Sequence, residues 1–245
     1  EELGYLWYFP RSATEINVGL GFQMDRDPME LVDVLRADIS NRPEFENATV
    51  TDKLGAALPT RRPYDSAVAP GFMAVGDAAG HVNPTTGGGI PGAAKAGHWA
   101  AEVAAEAIAA SDYSESALWE YNRRVQTDFG KRFAAMDLYN IFGGTHSVDE
   151  LAEILSVLPA QQLIDILARS GTSSMSLRLK FKTMIDSFGH WLTLYDAYKV
   201  NKRASEIKTL YDAYPETPAD FEDWRDRRDA FMDDFYDEFD AEPKY

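Results

Sequence analysis

The stretch that most restricts what this chain can fold into runs from Gly71 to Val103, "GFMAVGDAAGHVNPTTGGGIPGAAKAGHWAAEV". Gly71 to Val75 is a short continuous apolar run, the character of a buried strand in a parallel sheet. Ligands bind beyond the carboxyl ends of such strands. Gly76 there lets a ligand approach backbone closely, and Asp77 offers an acceptor-only carboxylate suited to ribose or ribitol hydroxyls. Gly87, Gly88 and Gly89 then open a helix predicted over residues 90–110, whose N-terminus favours an anion. Pro91 fits its first turn, where a missing N–H costs nothing. Small residues at Gly92, Ala93, Ala96, Gly97 and Ala100 would let this helix lie close against a sheet. Gly87, Gly89 and Gly92 also spell G-x-G-x-x-G, without its usual meaning. The glycines come well after the strand, and no second strand with an acidic end follows. On the residues alone, a cofactor cradle and a plain glycine-rich loop are equally open.

A second constellation is "YLWYFPRSATEINVGLG", Tyr5 to Gly21, which reads as a β-hairpin. Strand alternation puts Tyr5, Trp7 and Phe9 on one face, with Asn17, Gly19 and Gly21 on one face of the partner strand. Aromatic rings beside glycines make an apolar shelf with a groove. Structural cover of strand glycines by rings is the plainer account of the same pattern.

Asp27-Pro28 then starts a helix with apolar residues at Met29, Val32, Leu35 and Ile39. Residues 48–58 and 66–75 read as further strands, joined by the proline-containing loop "LPTRRPYD". After the 90–110 helix, "SESALWEYNRRVQTDF" is a second helix, N-capped near Ser114. The remainder reads as short helices punctuated by "FGGT", Pro159, "SGTSS" and Pro215. Phe221, Trp224, Phe231, Phe235 and Phe239 fall near one stripe of a C-terminal helix, expected to pack on the chain's own helices. Arg61-Arg62 reads as a pair of surface arginines, with a phosphate or lipid headgroup as the alternative partner. His81, His98, His146 and His190 show no metal-ligand spacing, so no metal site is assigned. For His81 a plain loop hydrogen bond is the leading reading, ahead of cofactor contact or proton donation.

Composition narrows the class. Among 245 residues, 45% are hydrophobic and 12% aromatic, as in a globular protein, and cysteine is absent, which excludes disulfides and thiolate chemistry. A net charge of −16 argues against nucleic acid as a partner. Such acidity fits an ordinary acidic cytosolic protein or, the favoured reading, a halophilic one, because at about 1 M salt the Debye length falls to roughly 3 Å and carboxylates repel each other little.

"GDAAGHVNPTTGGGI" resembles the second flavin motif of the geranylgeranyl reductase family, within the para-hydroxybenzoate hydroxylase-like flavoproteins. Y-x-W-x-F-P, eight residues, then G-x-G, here Tyr5 to Gly21, resembles the same family's substrate-domain motif. The resemblance implies an α/β (α+β) fold: the C-terminal portion of an FAD/NAD(P)-binding para-hydroxybenzoate hydroxylase-like protein. The implied parts are residues 1–65 as the remainder of a substrate-binding β-domain, 66–110 as the C-terminal part of the FAD-binding domain, and 111–245 as a helical region. It implies that Gly76, Asp77, Pro84, Gly87, Gly88, Gly89 and Ile90 hold FAD, and that Tyr5, Trp7, Phe9, Pro10, Gly19 and Gly21 hold a polyprenyl chain. The implied reaction is reduction of C=C bonds in geranylgeranyl chains of archaeal ether lipids, with hydride from reduced flavin N5. The electron donor, NAD(P)H or ferredoxin, and the proton donor stay open. The implied setting is cytoplasmic, with peripheral association on the inner face of the membrane allowed, and with the N-terminal FAD-binding half of the protein as partner. Two rivals are carried: a flavin monooxygenase or halogenase of the same fold, and a non-enzymatic prenyl-lipid-binding or interaction fragment.

Overall fold

A computed structural model describes residues 4–22, 27–147, 149, 152 and 191–243. The expected breaks at Pro159 and "SGTSS", and His190, lie outside the described residues. The chain divides into two compact units, Glu1–Ala57 and Leu58–Tyr245.

In the first unit, β1 (Gly4–Pro10) pairs antiparallel with β2 (Ile16–Phe22). The register sets Tyr5 opposite Gly21, Trp7 opposite Gly19 and Phe9 opposite Asn17, so the expected aromatic and glycine faces coincide. Helix α1 (Pro28–Ser40) starts where Asp27 accepts from the Met29 N–H and Pro28 occupies the first turn. Its sheltered stripe is Leu31, Leu35, Asp38 and Ile39, whereas Met29 and Val32 of the expected stripe are exposed. Asp38 reaches both the Tyr8 hydroxyl and Arg42. The strand expected over 48–58 does not form. Its apolar residues Val50, Leu54 and Leu58 are exposed, and no neighbouring strand pairs with them among the described residues.

The second unit is helical around two buried clusters. β3 (Val68–Ala69) and β4 (Phe72–Met73) form a two-residue antiparallel ladder. The buried parallel strand expected at Gly71–Val75 is therefore not what this unit contains; Phe72 is exposed. The reason lies in where the backbone finds its partners. Helix α3 (Glu115–Val125) faces this segment with polar side chains instead of another strand. Asn122 Oδ1 accepts from the Ala67 N–H at 2.9 Å, and the Tyr121 hydroxyl donates to the Ala74 carbonyl at 2.7 Å. Gln126 Nε2 donates to the Tyr64 carbonyl at 2.7 Å. Buried backbone groups need such partners, and here side chains supply them.

Helix α2 (Ile90–Ala110) has the predicted bounds and buries Gly92, Ala96, Ala100, Val103 and Ala107 along one stripe. Its small residues pack on the 76–82 loop and α3, not on a sheet. Ser114 caps α3 by accepting from the Ala117 N–H. One π-helical turn, Gln126–Gly130, joins α3 to α4 (Lys131–Gly144), which ends at "FGG" as expected. Gly130 is required there, since a Cβ would lie 2.7 Å from Gln126 Oε1 and 2.9 Å from the Val125 carbonyl. Helices α5 (Trp191–Asp212) and α6 (Phe221–Phe239) close the unit. Trp224 and Phe235 of α6 are fully buried against α4 and α5, so the aromatic stripe is core, as anticipated. Segments 66–110 and 111–245 share a core: Ala67, Ala96 and Val103 pack with Leu118, Tyr121 and Phe129. Among the described residues, no helix is long and apolar enough to cross a membrane.

Candidate functional site

The loop between β4 and α2 is built on a reciprocal pair of hydrogen bonds. The Gly76 N–H donates to His81 Nδ1 at 3.1 Å, and the His81 N–H donates to the Gly76 carbonyl at 3.0 Å. Gly76 has φ +68°, a left-handed conformation that favours glycine. Inside this closed turn the Gly80 N–H donates to the Asp77 carbonyl at 3.0 Å. The Asp77 side chain is left exposed beside the start of α2. A Cβ at Gly89 would stand 3.0 Å from Asp77 Oδ1, so the carboxylate lies against this glycine.

Residues 83–88 form a second turn organised by one side chain. Asn83 Oδ1 accepts from the Thr85 N–H at 2.9 Å, the Thr85 hydroxyl at 2.8 Å and the Thr86 N–H at 3.2 Å. The Gly87 N–H returns to the Asn83 carbonyl at 2.9 Å, and the Asn83 N–H donates to the Gly88 carbonyl at 3.0 Å. Helix α2 then begins at Gly89 with no side-chain cap, and Ile90 is 85% exposed. An uncapped N-terminus with a carboxylate set beside it can accept hydroxyls at one point and bind anionic character at the other. The donor set therefore fits a hydroxylated, negatively charged cofactor such as FAD. Asp77, Gly88 and Ile90 are exposed and Gly87 and Gly89 partly so. Gly76 and Pro84 are buried and shape the loop from beneath.

His81 is fully buried, its ring edge-to-face with Phe129 at 5.1 Å. Burial pulls its pKa down to about 4, so it is neutral at ordinary pH. The loop hydrogen bond anticipated for it is present, and its burial keeps it off the exposed loop surface. Arg61 and Arg62 differ from their reading as surface arginines. Arg61 Nε lies 2.5 Å and Arg62 Nη1 3.3 Å from the carboxylate of Asp137, which is fully buried on α4. Both turn inward to this carboxylate; sequence reasoning missed this because the partner is far along the chain. Among the described residues, no group of three histidines or carboxylates gathers as metal ligands.

In the first unit, the groove expected beside Gly19 is filled. A Cβ at Gly19 would lie 2.0 Å from Trp7 Cζ2, so the indole rests on the glycine itself. Trp7 Nε1 donates to Asn17 Oδ1 at 2.7 Å, and Phe9 stacks on Trp7 at 6.2 Å with 60% of its surface exposed. Pro10 is exposed at the strand end and pairs with Ile16, while Gly21 is partly buried. What the hairpin offers is an aromatic ledge, Phe9 outward and Trp7 behind it.

No protein-family model matches the chain. It is similar to the digeranylgeranylglycerophospholipid reductase of Sulfolobus acidocaldarius, 28% identical over 235 residues, covering 95% of this chain and 52% of the relative. It is also similar to digeranylgeranylglycerophospholipid reductase 1 of Methanococcoides burtonii, 40% identical over 136 residues, 54% of this chain and 32% of the relative. A solved structure, a geranylgeranyl bacteriochlorophyll reductase-like protein from Thermoplasma acidophilum, matches with a TM-score of 0.57 at 25% identity. That match covers 80% of this chain and 47% of the other. The chain spans about half the length, or less, of these proteins. In sequence and in fold, this chain is similar to these reductases and reductase-like proteins over part of their length.

Proposed function

We propose that this chain is part of an FAD-dependent oxidoreductase that reduces C=C bonds in geranylgeranyl chains of archaeal membrane ether lipids. The observation that carries the reading is the Asp77 carboxylate set against Gly89 at the uncapped start of α2, in a homologue of lipid reductases. Asp77 accepts from cofactor hydroxyls, and the backbone of Gly87–Gly89 approaches the cofactor without side chains in the way. Gly76 and Pro84 hold the loop, and Ile90 presents an apolar surface beside it. When bound, reduced FAD supplies the hydride. The helix N-terminus is a preorganised stabiliser of negative charge there. Tyr5, Trp7, Phe9 and Pro10, on the hairpin braced at Gly19 and Gly21, orient the prenyl chain and exclude water from it. The parts 1–65, 66–110 and 111–245 correspond in this reading to substrate domain, cofactor domain and helical region. The N-terminal FAD-binding half is the partner, the fold being the para-hydroxybenzoate hydroxylase-like α/β type. NAD(P)H or ferredoxin feeds the electrons, and a cytoplasmic protein peripheral to the membrane of a halophile fits the charge.

Asp77→Ala in the whole protein is expected to weaken FAD binding by about tenfold to a hundredfold, the range for losing hydrogen bonds to a charged group. Flavin absorbance after gel filtration reads this directly, and undiminished flavin would overturn the assignment. Trp7→Ala is expected to keep normal flavin content and lower the rate of prenyl reduction about tenfold, measured by mass spectrometry of the lipid. Flavin-dependent oxygen consumption without loss of alkene would instead favour the monooxygenase class.

A further inference from the structure

We propose that His81 is the positioning residue of the 76–89 loop: its neutral imidazole, accepting at Nδ1 from the Gly76 N–H, fixes the turn that presents Asp77 to the start of α2. The inference about Asp77 rests on the flavin reading above; the inference about the turn does not. An Nδ1 that accepts from an N–H must carry a lone pair, which places the ring proton on Nε2. Nε2 is buried with no hydrogen-bond partner. A buried polar atom left so is unusual and calls for an explanation. Here the imidazole's other edge makes the bond that matters, and the ring is held for that edge.

Three elements meet at this residue. Its side chain bonds the Gly76 N–H at the end of the apolar segment. Its backbone carbonyl is so close to α2 that a Cβ at Gly92 would lie 2.8 Å from it. Its ring packs edge-to-face on Phe129 of the π-helical turn. Asp77 stands inside the turn that these contacts close, between Gly76 at φ +68° and Gly80 at φ +69°. Loss of the acceptor would leave the buried Gly76 N–H unbonded and free the turn to relax, carrying the Asp77 carboxylate away from Gly89. Burial supports this role, because it holds the imidazole neutral and therefore able to accept.

Two variants of the whole protein separate acceptor from ring. His81→Leu removes the acceptor, while His81→Asn sets Oδ1 near the place of Nδ1. In flavin-free protein, hydrogen exchange at the Gly76 amide is expected to speed up about tenfold in the Leu variant and to stay within about threefold of wild type in the Asn variant. FAD titration is expected to follow the same order. Imidazole ¹⁵N shifts of the wild type should show the Nε2–H tautomer; the Nδ1–H tautomer would overturn the proposal. Equal losses in both variants would also overturn it, since ring packing alone would then explain His81. If the Leu variant does not fold, the Asn variant decides by the same two readings. Asp77→Ala, titrated alongside, keeps the outcomes distinct. Normal FAD binding there defeats the flavin reading while Gly76 exchange still judges His81.

Discussion

An Asp137→Ala protein is expected to be less stable by about 3 kcal/mol, seen as a lower urea midpoint and a melting temperature reduced by roughly 6–12 °C. Asp137 is fully buried on α4 and accepts from Arg61 Nε at 2.5 Å, Arg61 Nη2 at 3.4 Å and Arg62 Nη1 at 3.3 Å. Arg61 Nη2 also donates to the Tyr236 hydroxyl at 2.9 Å, so α4, α6 and the 58–65 segment share one polar knot. Removing the carboxylate leaves two guanidinium groups facing a cavity. Breaking a buried pair by deleting one partner costs about 3–5 kcal/mol. The arginine side chains retain 16% and 19% exposure, so some hydration is recovered and the lower end applies. Asp137→Asn keeps an acceptor and should cost about half as much. A loss below about 1 kcal/mol for Asp137→Ala would show that the knot does not hold these elements together.

Trp224→Ala is expected to cost about 3–5 kcal/mol, the range for deleting a fully buried large ring. Trp224 is fully buried among Tyr211, Tyr214 and Phe221, with centroids at 5.2, 4.8 and 6.2 Å. Its Nε1 donates to the Leu210 carbonyl at 3.0 Å near the end of α5, so truncation also removes one of that carbonyl's two donors, the Ala213 N–H at 3.2 Å being the other. Trp224→Phe keeps most of the ring and loses the donor, with an expected cost of about 1–2 kcal/mol. Denaturant unfolding of both variants separates packing from hydrogen bonding; equal costs would mean that the carbonyl contact, not the ring volume, dominates.

What could be read from the sequence was what short-range chemistry decides. Asp27 and Ser114 act as N-caps, Pro91 and Gly89 open α2, and strand alternation puts Trp7 with Phe9 on one face and Gly19 with Asn17 on one face of the partner strand. The aromatic stripe of α6 follows from helical periodicity. What could not be read was long-range. Residues 66–75 look like a strand, yet the Ala67 N–H and the Ala74 carbonyl are bonded by Asn122 and Tyr121 from a helix some fifty residues on. Arg61-Arg62 gave no local sign of Asp137. In the candidate site, Asp77 and the glycines could be picked out by residue type. The acceptor role of His81 could not, because it depends on a ring nitrogen folding back to Gly76.

The π-helical turn at Gln126–Gly130 gives the second unit an angular setting as well as a joint. Such a turn carries one residue more than an α-helix needs, and each residue of an α-helix advances it by about 100°. The surplus residue therefore sets the phase of α4 against α3. Shortening the turn by one residue would swing the Asp137 side of α4 about 100° away from the two arginines, and Ala134, Leu138 and Phe142 out of their shared core with it. Phe129 would leave both His81 and Trp99 in the same rotation. Chain length at this one point is thus a rotational coordinate, to which the core and the candidate loop are geared together.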